Sequence, residues 1–451
     1  MNLLVTGGLV VAAGGPRRCD VLVEGGVVTE VGAGLRAPTS AEVVDAAGCV
    51  VLPGGVDPHC HLVQDIPAAS RAAALGGTTT ALSFTLPEAG EPPAEAVRRA
   101  HDLSADEGSL IDLGFHASCY RPNALTAAEV ADVASAGADA IKIFMAYGEL
   151  GIMASGDGLF RAMSYAAGCG LPVQVHCEDG EVIEALVEQA GEAGRRGARA
   201  FAASRPPVTE DLSVERTLAV AALAGARCYL PHLSTAGAMA RLRAHRSGPH
   251  ARRAPVAAEV CLHHVLIDDR EYDGARAGDF LVAPPLRAAG HLDAVRAALS
   301  DGTVDAVGSD HSQDRTPVDA RIAEGPDAAY GIAGIGARLP LLLSWGRRNG
   351  IALERLCHLL ATGPARAFGY APRKGVLAPG SDGDLVVWDP EVAWTVQEAS
   401  FPDGTGTAPY AGRSVTGAVR FVSCRGRPLV RDGSLVGGEP AGSVLRPNGA
   451  P

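Results

Sequence analysis

The feature that most constrains this chain is an alternation. Eight short β-rich runs, at 49–52, 78–84, 111–116, 140–145, 172–176, 227–232, 255–260 and 304–308, are mostly separated by longer helical patterns. The helical patterns fall at 94–107, 127–136, 159–169, 213–224, 236–245 and 292–299. Strands joined through helices pair in parallel, because a parallel pair needs a long crossover. Eight is also the number of strands that closes a barrel filled by its own side chains. An open doubly wound sheet is the competing arrangement, but no GxGxxG or P-loop follows an early strand. The 451 residues leave room for a barrel of roughly 250 residues or more and a smaller partner. Short strands separated by glycines open the chain at 3–5, 9–12, 20–24 and 27–31, and similar runs close it at 385–388, 418–424 and 427–430. Neither end is long enough to bury a core alone. Packing both ends together predicts one small β-sandwich domain made of 1–52 and 371–451, flanking a (β/α)8 barrel over 53–370.

Composition narrows the classes. Apolar residues make up 47% of the chain and charged residues 20%, enough for a large core. A net charge of −12 without a lysine-rich run argues against nucleic acid or an anionic membrane as a partner. Arg195–Arg196 and Arg252–Arg253 are too short to alter that and read as solvated surface. No apolar run approaches the roughly 18 residues of a membrane span. The apolar start lacks a basic segment and is broken by Gly7-Gly8 and Gly14-Gly15, so it reads as strand and turn and not as a signal peptide. The ten cysteines form no CxxC pair, which fits reduced, mostly buried thiols in a cytoplasmic protein and argues against a thiol-built structural zinc site.

Metal-capable residues recur where the strands end. His59 and His61 follow the first run, Lys142 lies in the fourth, His176 ends the fifth, His232 the sixth, and Asp310 follows the eighth. In a barrel these ends converge on one mouth, so separated residues can form one site. The i, i+2 spacing of His59 and His61 turns both imidazoles to one side of a strand, where they can grip one ion. Each has a plainer reading. An HxH pair can be incidental, a lone His176 or His232 can be a satisfied structural histidine, and Asp310 can be a helix cap. Lys142 can belong to a half-exposed strand. If the strand is buried, its lysine needs a partner or must lose its charge, and a neutral amine can take up carbon dioxide as an anionic carbamate with two metal-binding oxygens.

Together these segments resemble the dihydropyrimidinase and hydantoinase family of cyclic amidohydrolases. The likeness runs through Leu52-Pro-Gly-Gly-Val-Asp-Pro-His-Cys-His, Ala74-Leu-Gly-Gly-Thr-Thr, Lys142-Ile-Phe-Met-Ala-Tyr, His176-Cys-Glu-Asp-Gly, Arg205-Pro-Pro, His232-Leu-Ser, Pro284-Pro-Leu-Arg, Gly308-Ser-Asp-His and the stretch from Pro372 to Asp389. The resemblance implies two divalent ions, zinc by expectation. His59, His61 and Asp310 would hold one, His176 and His232 the other, and a carboxylated Lys142 would bridge them. It implies that Tyr147 hydrogen-bonds the carbonyl under attack, although an ordinary barrel aromatic is its plainer reading. It further implies a metal-bridging hydroxide as nucleophile, Asp310 as proton shuttle, and ring opening to an N-carbamoyl amino acid, or the reverse closure. The implied partner is a small cyclic amide or ureide, and the implied assembly a homo-oligomer, dimer or tetramer.

The branch is less sharply drawn. His232-Leu-Ser-Thr-Ala and Glu259-Val-Cys-Leu-His-His are dihydroorotase-like. The arginine that dihydroorotases carry after HxHL is Val63 here, and the family's Met-Pro-Asn-Thr stretch reads Phe84-Thr-Leu-Pro-Glu. An anionic substrate would be left unpaired there, at a cost of roughly several kcal/mol. Against the hydantoinase pattern, Gly148-Glu149 replaces the usual lysine-glycine after Tyr147, Ala283 replaces a serine, and Tyr330 an asparagine. In the family the last two places bind the ring mainly through backbone groups, so Ala283 and Tyr330 remain candidate substrate contacts. Allantoin-type ring opening, another amidohydrolase chemistry, and a non-catalytic scaffold of the same fold are the alternatives. Survival of all six ligand positions weighs against the scaffold.

Overall fold

The computed structural model describes residues 1–447 except Ala13, His250, 313–330, Gly406 and Gly438. Its strands are β1 (Leu3–Ala12), β2 (Gly15–Glu24), β3 (Val27–Gly32), β4 (Glu42–Asp45), β5 (Val50–Pro53), β6 (Gly55–His61), β7 (Thr78–Phe84), β8 (Asp112–Ser118), β9 (Ile141–Phe144), β10 (Val173–His176), β11 (Cys228–Leu230), β12 (Val256–Cys261), β13 (Ala306–Gly308), β14 (His311–Ser312), β15 (Leu385–Thr395), β16 (Ser414–Cys424), β17 (Arg427–Arg431) and β18 (Ser434–Leu435). The chain divides into two compact units. One holds Met1–Leu82, Asp102–Gly114 and the chain from Gly334 onward, and the other holds Ser83–His101 and Phe115–Ala333.

In the first unit both chain ends build one sheet, in the order β18-β17-β16-β15-β5-β1-β2-β3, with β4 on β1. The two ends meet where β5 runs antiparallel to β15, Leu52 opposite Val386 and Val51 opposite Val387. Leu3, Val5, Val21, Val51, Leu385 and Phe421 belong to its buried core. The expected break between strands at Gly7-Gly8 is instead a register irregularity inside β1. Gly7 takes φ 73°, and a Cβ on Gly8 would lie 2.5 Å from the Val51 side chain. The glycines let one strand kink where two were expected.

A second correction concerns the start of the alternating set. The run at 49–52 is not its first strand. That run forms β5, in the sheet built from the chain ends. The set begins with β6, which itself carries His59 and His61. The polar stretch Asp57-Pro-His-Cys-His hid this strand, because a search for apolar runs passes over a buried strand made of functional residues. Arg338, fully buried, lies 3.4 Å from the Asp57 carboxylate and donates to Thr78 Oγ1 and the Leu360 carbonyl. Asp57 in turn accepts from the His59 N–H at 3.3 Å. A buried ion pair thus fixes the backbone from which His59 projects.

In the second unit the pairs β8–β9, β9–β10, β10–β11, β11–β12 and β12–β13 are all parallel. Helices separate successive strands along the chain: Gly156–Cys169 after β9, Gly180–Glu192 and Pro207–Ala224 after β10, Ala236–Ser247 after β11 and Ala289–Asp301 after β12. Several start on polar caps. Ser155, Asp179 and Thr235 accept from the N–H groups of Gly158, Val182 and Ala238, which satisfies donors that would otherwise lack a partner. The fold class is a (β/α)8 TIM-like barrel with a small β domain drawn from both chain ends.

Candidate active site

β9 is buried, so Lys142 cannot be the half-exposed surface residue of its plainer reading. Lys142 is 2% exposed and makes no ion pair among the described residues. Its Nζ lies 4.8 Å from the centre of the Phe84 ring and 5.5 Å from that of Phe144. Burial lowers its pKa to about 8, against the opposing pull of Asp310 and Glu259. An amine so placed is readily neutral, the state that carbamate formation needs.

His176 closes β10, and its register beside β9 sets it opposite Phe144, as Gln174 sits opposite Lys142. His176 Nδ1 lies 3.1 Å from His232 Nε2, and the two rings are 4.7 Å apart. The other nitrogen, Nε2, meets Glu178 Oε2 at 2.9 Å. Burial lowers the His176 pKa although Glu178 opposes it, so the imidazole is neutral. Glu178 is fully buried. Burial alone would raise its pKa, but Arg205, 2.9 Å away, and His176 outweigh that and hold it at about 2. A carboxylate that fixes one nitrogen of a histidine leaves the other to act as a ligand. Arg205 also stacks over Tyr147, 5.6 Å from its ring centre, and the Tyr147 and His176 rings are 4.9 Å apart.

Tyr147, His232 and Asp310 share a backbone peculiarity. Their φ values are 71°, 42° and 50°, and only Arg425 and Asp432 join them among the described non-glycine residues. Such conformations cost about 1–3 kcal/mol each and persist where the surroundings impose them. Asp310 caps none of the described helices. His232 is held in part by Glu259, whose Oε1 accepts its N–H at 3.4 Å while Tyr229 donates to Oε2 at 2.7 Å.

The structure therefore brings Lys142, Tyr147, His176 and His232 together in the second unit, with Asp310 close enough to act on the Lys142 charge. In the first unit His59 and His61 stand together on β6, their rings 5.8 Å apart, His59 buried and His61 partly so. Ala283 is buried in the loop before Pro284. Tyr330 lies outside the described residues. Sequence reasoning assigned no role to Glu178, Arg205, Glu259 or the Phe84 ring. Only Glu178 carried a local signal, a carboxylate two residues beyond a strand-end histidine.

The sequence model of the amidohydrolase family matches residues 50–429. The chain belongs to that family. An Escherichia coli O1:K1 / APEC protein named D-phenylhydantoinase is 32% identical over 99% of this chain and 98% of its own length. Among solved structures, dihydropyrimidinase from Brevibacillus agri NCHU1002 superposes with a TM-score of 0.93 at 32% identity, covering 99% of both chains. L-hydantoinase from Arthrobacter aurescens gives 0.88 at 26%, again over 99% of each chain. This amidohydrolase is thus an enzyme of the class that hydrolyses carbon–nitrogen bonds in cyclic amides. Its family generally binds a binuclear metal centre. None of its described helices is long and apolar enough to cross a membrane.

Proposed function

We propose that this amidohydrolase opens neutral five- or six-membered cyclic ureides of the hydantoin or dihydropyrimidine type to N-carbamoyl amino acids. In this reading His59, His61 and Asp310 would hold one divalent ion, zinc by expectation, and His176 and His232 the other, and a carboxylated Lys142 would serve both. The observation that carries the reading is Lys142, an amine buried between two phenyl rings, without an ion pair among the described residues, beside two facing imidazoles. The donor set fits the ions: neutral imidazoles, a carboxylate and a lysine able to become an anionic carbamate.

Bound ions would supply a water of lowered pKa and polarise the carbonyl. The remaining roles fall to the chain. Tyr147 donates its phenolic O–H to the carbonyl oxygen as negative charge develops there. Asp310 takes a proton from the attacking water and hands it to the ring nitrogen, so that the C–N bond breaks as the new C–O bond is retained. One water is consumed, its oxygen ending on carbon and one proton on nitrogen, while the other proton leaves as the new carboxylic acid ionises. Glu178, pinned by Arg205, holds the orientation of His176. The backbone around Ala283 contacts the substrate ring.

The neutral-substrate preference follows from Val63 and Phe84-Thr-Leu-Pro-Glu, which supply no cation for a carboxylate. The test is a panel of hydantoins, dihydrouracil, dihydroorotate and allantoin, assayed with the zinc-loaded protein before and after chelation. Ring opening of the neutral ureides, lost on chelation, with two ions per chain by elemental analysis, is the expected outcome. A clear preference for dihydroorotate, or full activity with a single ion, would overturn it.

A further inference from the structure

A second metal-capable group in this chain is used by none of the roles above. Cys261 ends β12, and His263 and His264 lie in the turn of helix that follows, Leu262–Leu266. All three are buried, and each offers a ligand atom within 4.8 Å of the others. The two imidazole rings are 4.2 Å apart.

His264 shows what the group is prepared for. Its Nε2 lies 3.1 Å from the carbonyl oxygen of Pro284. A carbonyl can only accept, so Nε2 carries the proton and Nδ1 keeps a lone pair. That Nδ1 is buried and has no hydrogen-bond partner among the described residues. A buried acceptor without a donor is costly. A histidine with one nitrogen anchored to a backbone carbonyl and the other left as a bare lone pair has the arrangement of a metal ligand. The Cys261 thiol donates to Glu259 Oε1 at 3.3 Å, so the sulfur is already hydrogen-bonded to a carboxylate.

We propose that Cys261, His263 and His264 form a binding site for a further borderline-soft divalent ion, with zinc as the natural occupant. One thiolate and two imidazoles are a donor set that such ions prefer over magnesium or calcium. Binding exchanges the thiol proton for the ion: a sulfur–metal bond forms, the S–H bond breaks and the proton leaves to solvent. Glu259 then loses the donor Cys261 gave it. None of the six ligands of the proposed binuclear centre carries sulfur, so thiolate coordination tells the two apart.

The experiment is a cobalt(II) titration of the holoenzyme under reducing conditions, in the Cys169→Ser background because Cys169 is exposed. A thiolate-to-cobalt charge-transfer absorption should grow in with one equivalent of ion beyond those of the oxygen- and nitrogen-ligated centre, and zinc should bleach it. The band should vanish in Cys261→Ser, persist in Cys177→Ser, and require more than about tenfold higher cobalt in His264→Gln. No such band in the parent protein, or a band that survives Cys261→Ser, overturns the proposal. Should Cys261→Ser fail to fold, the parent titration and His264→Gln decide it, and an unchanged cobalt affinity in His264→Gln counts against the site.

Discussion

Lys142 and Lys374 are 2% and 1% exposed, yet the fold treats them in opposite ways. Lys374, in the first unit, lies 2.6 Å from Asp112, 2.8 Å from Asp382 and 2.8 Å from Asp384. Burial alone would lower its pKa, but Asp384, Asp112 and Asp382 lift it well above the usual lysine range. These carboxylates carry further bonds: Thr79 and the Arg425 N–H donate to Asp384, and the Ser443 N–H to Asp112. The cluster ties together β7, β8, the start of β15 and the chain's last described turns. Lys142 has two phenyl rings and no ion pair among the described residues. A satisfied buried charge marks a structural joint. An unsatisfied one marks a residue kept in a costly state for chemistry.

The comparison is broken most directly at Lys142. Lys142→Ala should lower turnover by at least about a thousandfold, the scale of removing a central electrostatic group, and metal content should fall with it while the far-ultraviolet circular dichroism is kept. A short carboxylic acid added to the buffer should restore part of both. Lys142→Arg should not, because a guanidinium stays cationic. Two bound ions and near-normal turnover in Lys142→Ala would make it an ordinary strand residue.

Lys374→Met attacks the other side. Asp384 would lose its cation, and Asp112 and Asp382 would keep only Arg425 and Arg373, so the protein should lose about 3–5 kcal/mol by denaturant unfolding. Metal content per folded molecule should not change. A loss of metal in correctly folded Lys374→Met would erase the division between the two lysines.

The third expectation reverses the sign. Lys142 has its folded pKa depressed, from 10.5 to about 8. The unfolded chain therefore binds more protons between those values, and the penalty is full below about pH 8 and gone above 10.5. Metal-free Lys142→Met should thus be more stable than metal-free parent at pH 7, by up to about 3 kcal/mol, and the gap should close as pH rises through that window. Equal stabilities at pH 7 would mean that the lysine finds relief the structure does not reveal.

The smallest effect belongs to Glu178, the site's own satisfied charge. Glu178→Gln keeps the shape but weakens the hold on His176, so zinc affinity should drop about 10–100-fold, measured by competition with a chelator. Its depressed pKa, from 4.5 to about 2, supplies stability present above pH 4.5 and lost as pH falls toward 2. The variant should therefore show a shallower acid-side loss than the parent.

Several things were legible in the residue order. The alternation of β runs with helical runs gave the barrel class. The strand-end positions of Lys142, His176, His232 and Asp310 gave the candidate ligands, because side-chain direction and strand termini follow from local periodicity. Other features had no local signature. The β6 strand was hidden because its buried face is polar. The opposite states of Lys142 and Lys374 could not be read, since what separates them is carboxylates 8, 10 and 262 residues from Lys374 in sequence. The Glu178–Arg205 pair, 27 residues apart, and the left-handed backbone of Tyr147, His232 and Asp310 were likewise invisible. Periodicity and residue type act over a few neighbours, so sequence alone determined which elements form and which residues can do chemistry. Burial and long-range charge depend on which distant segments meet, and so only the tertiary structure decided which lysine has its pKa lowered, which histidine nitrogen a carboxylate fixes, and which charges are already satisfied.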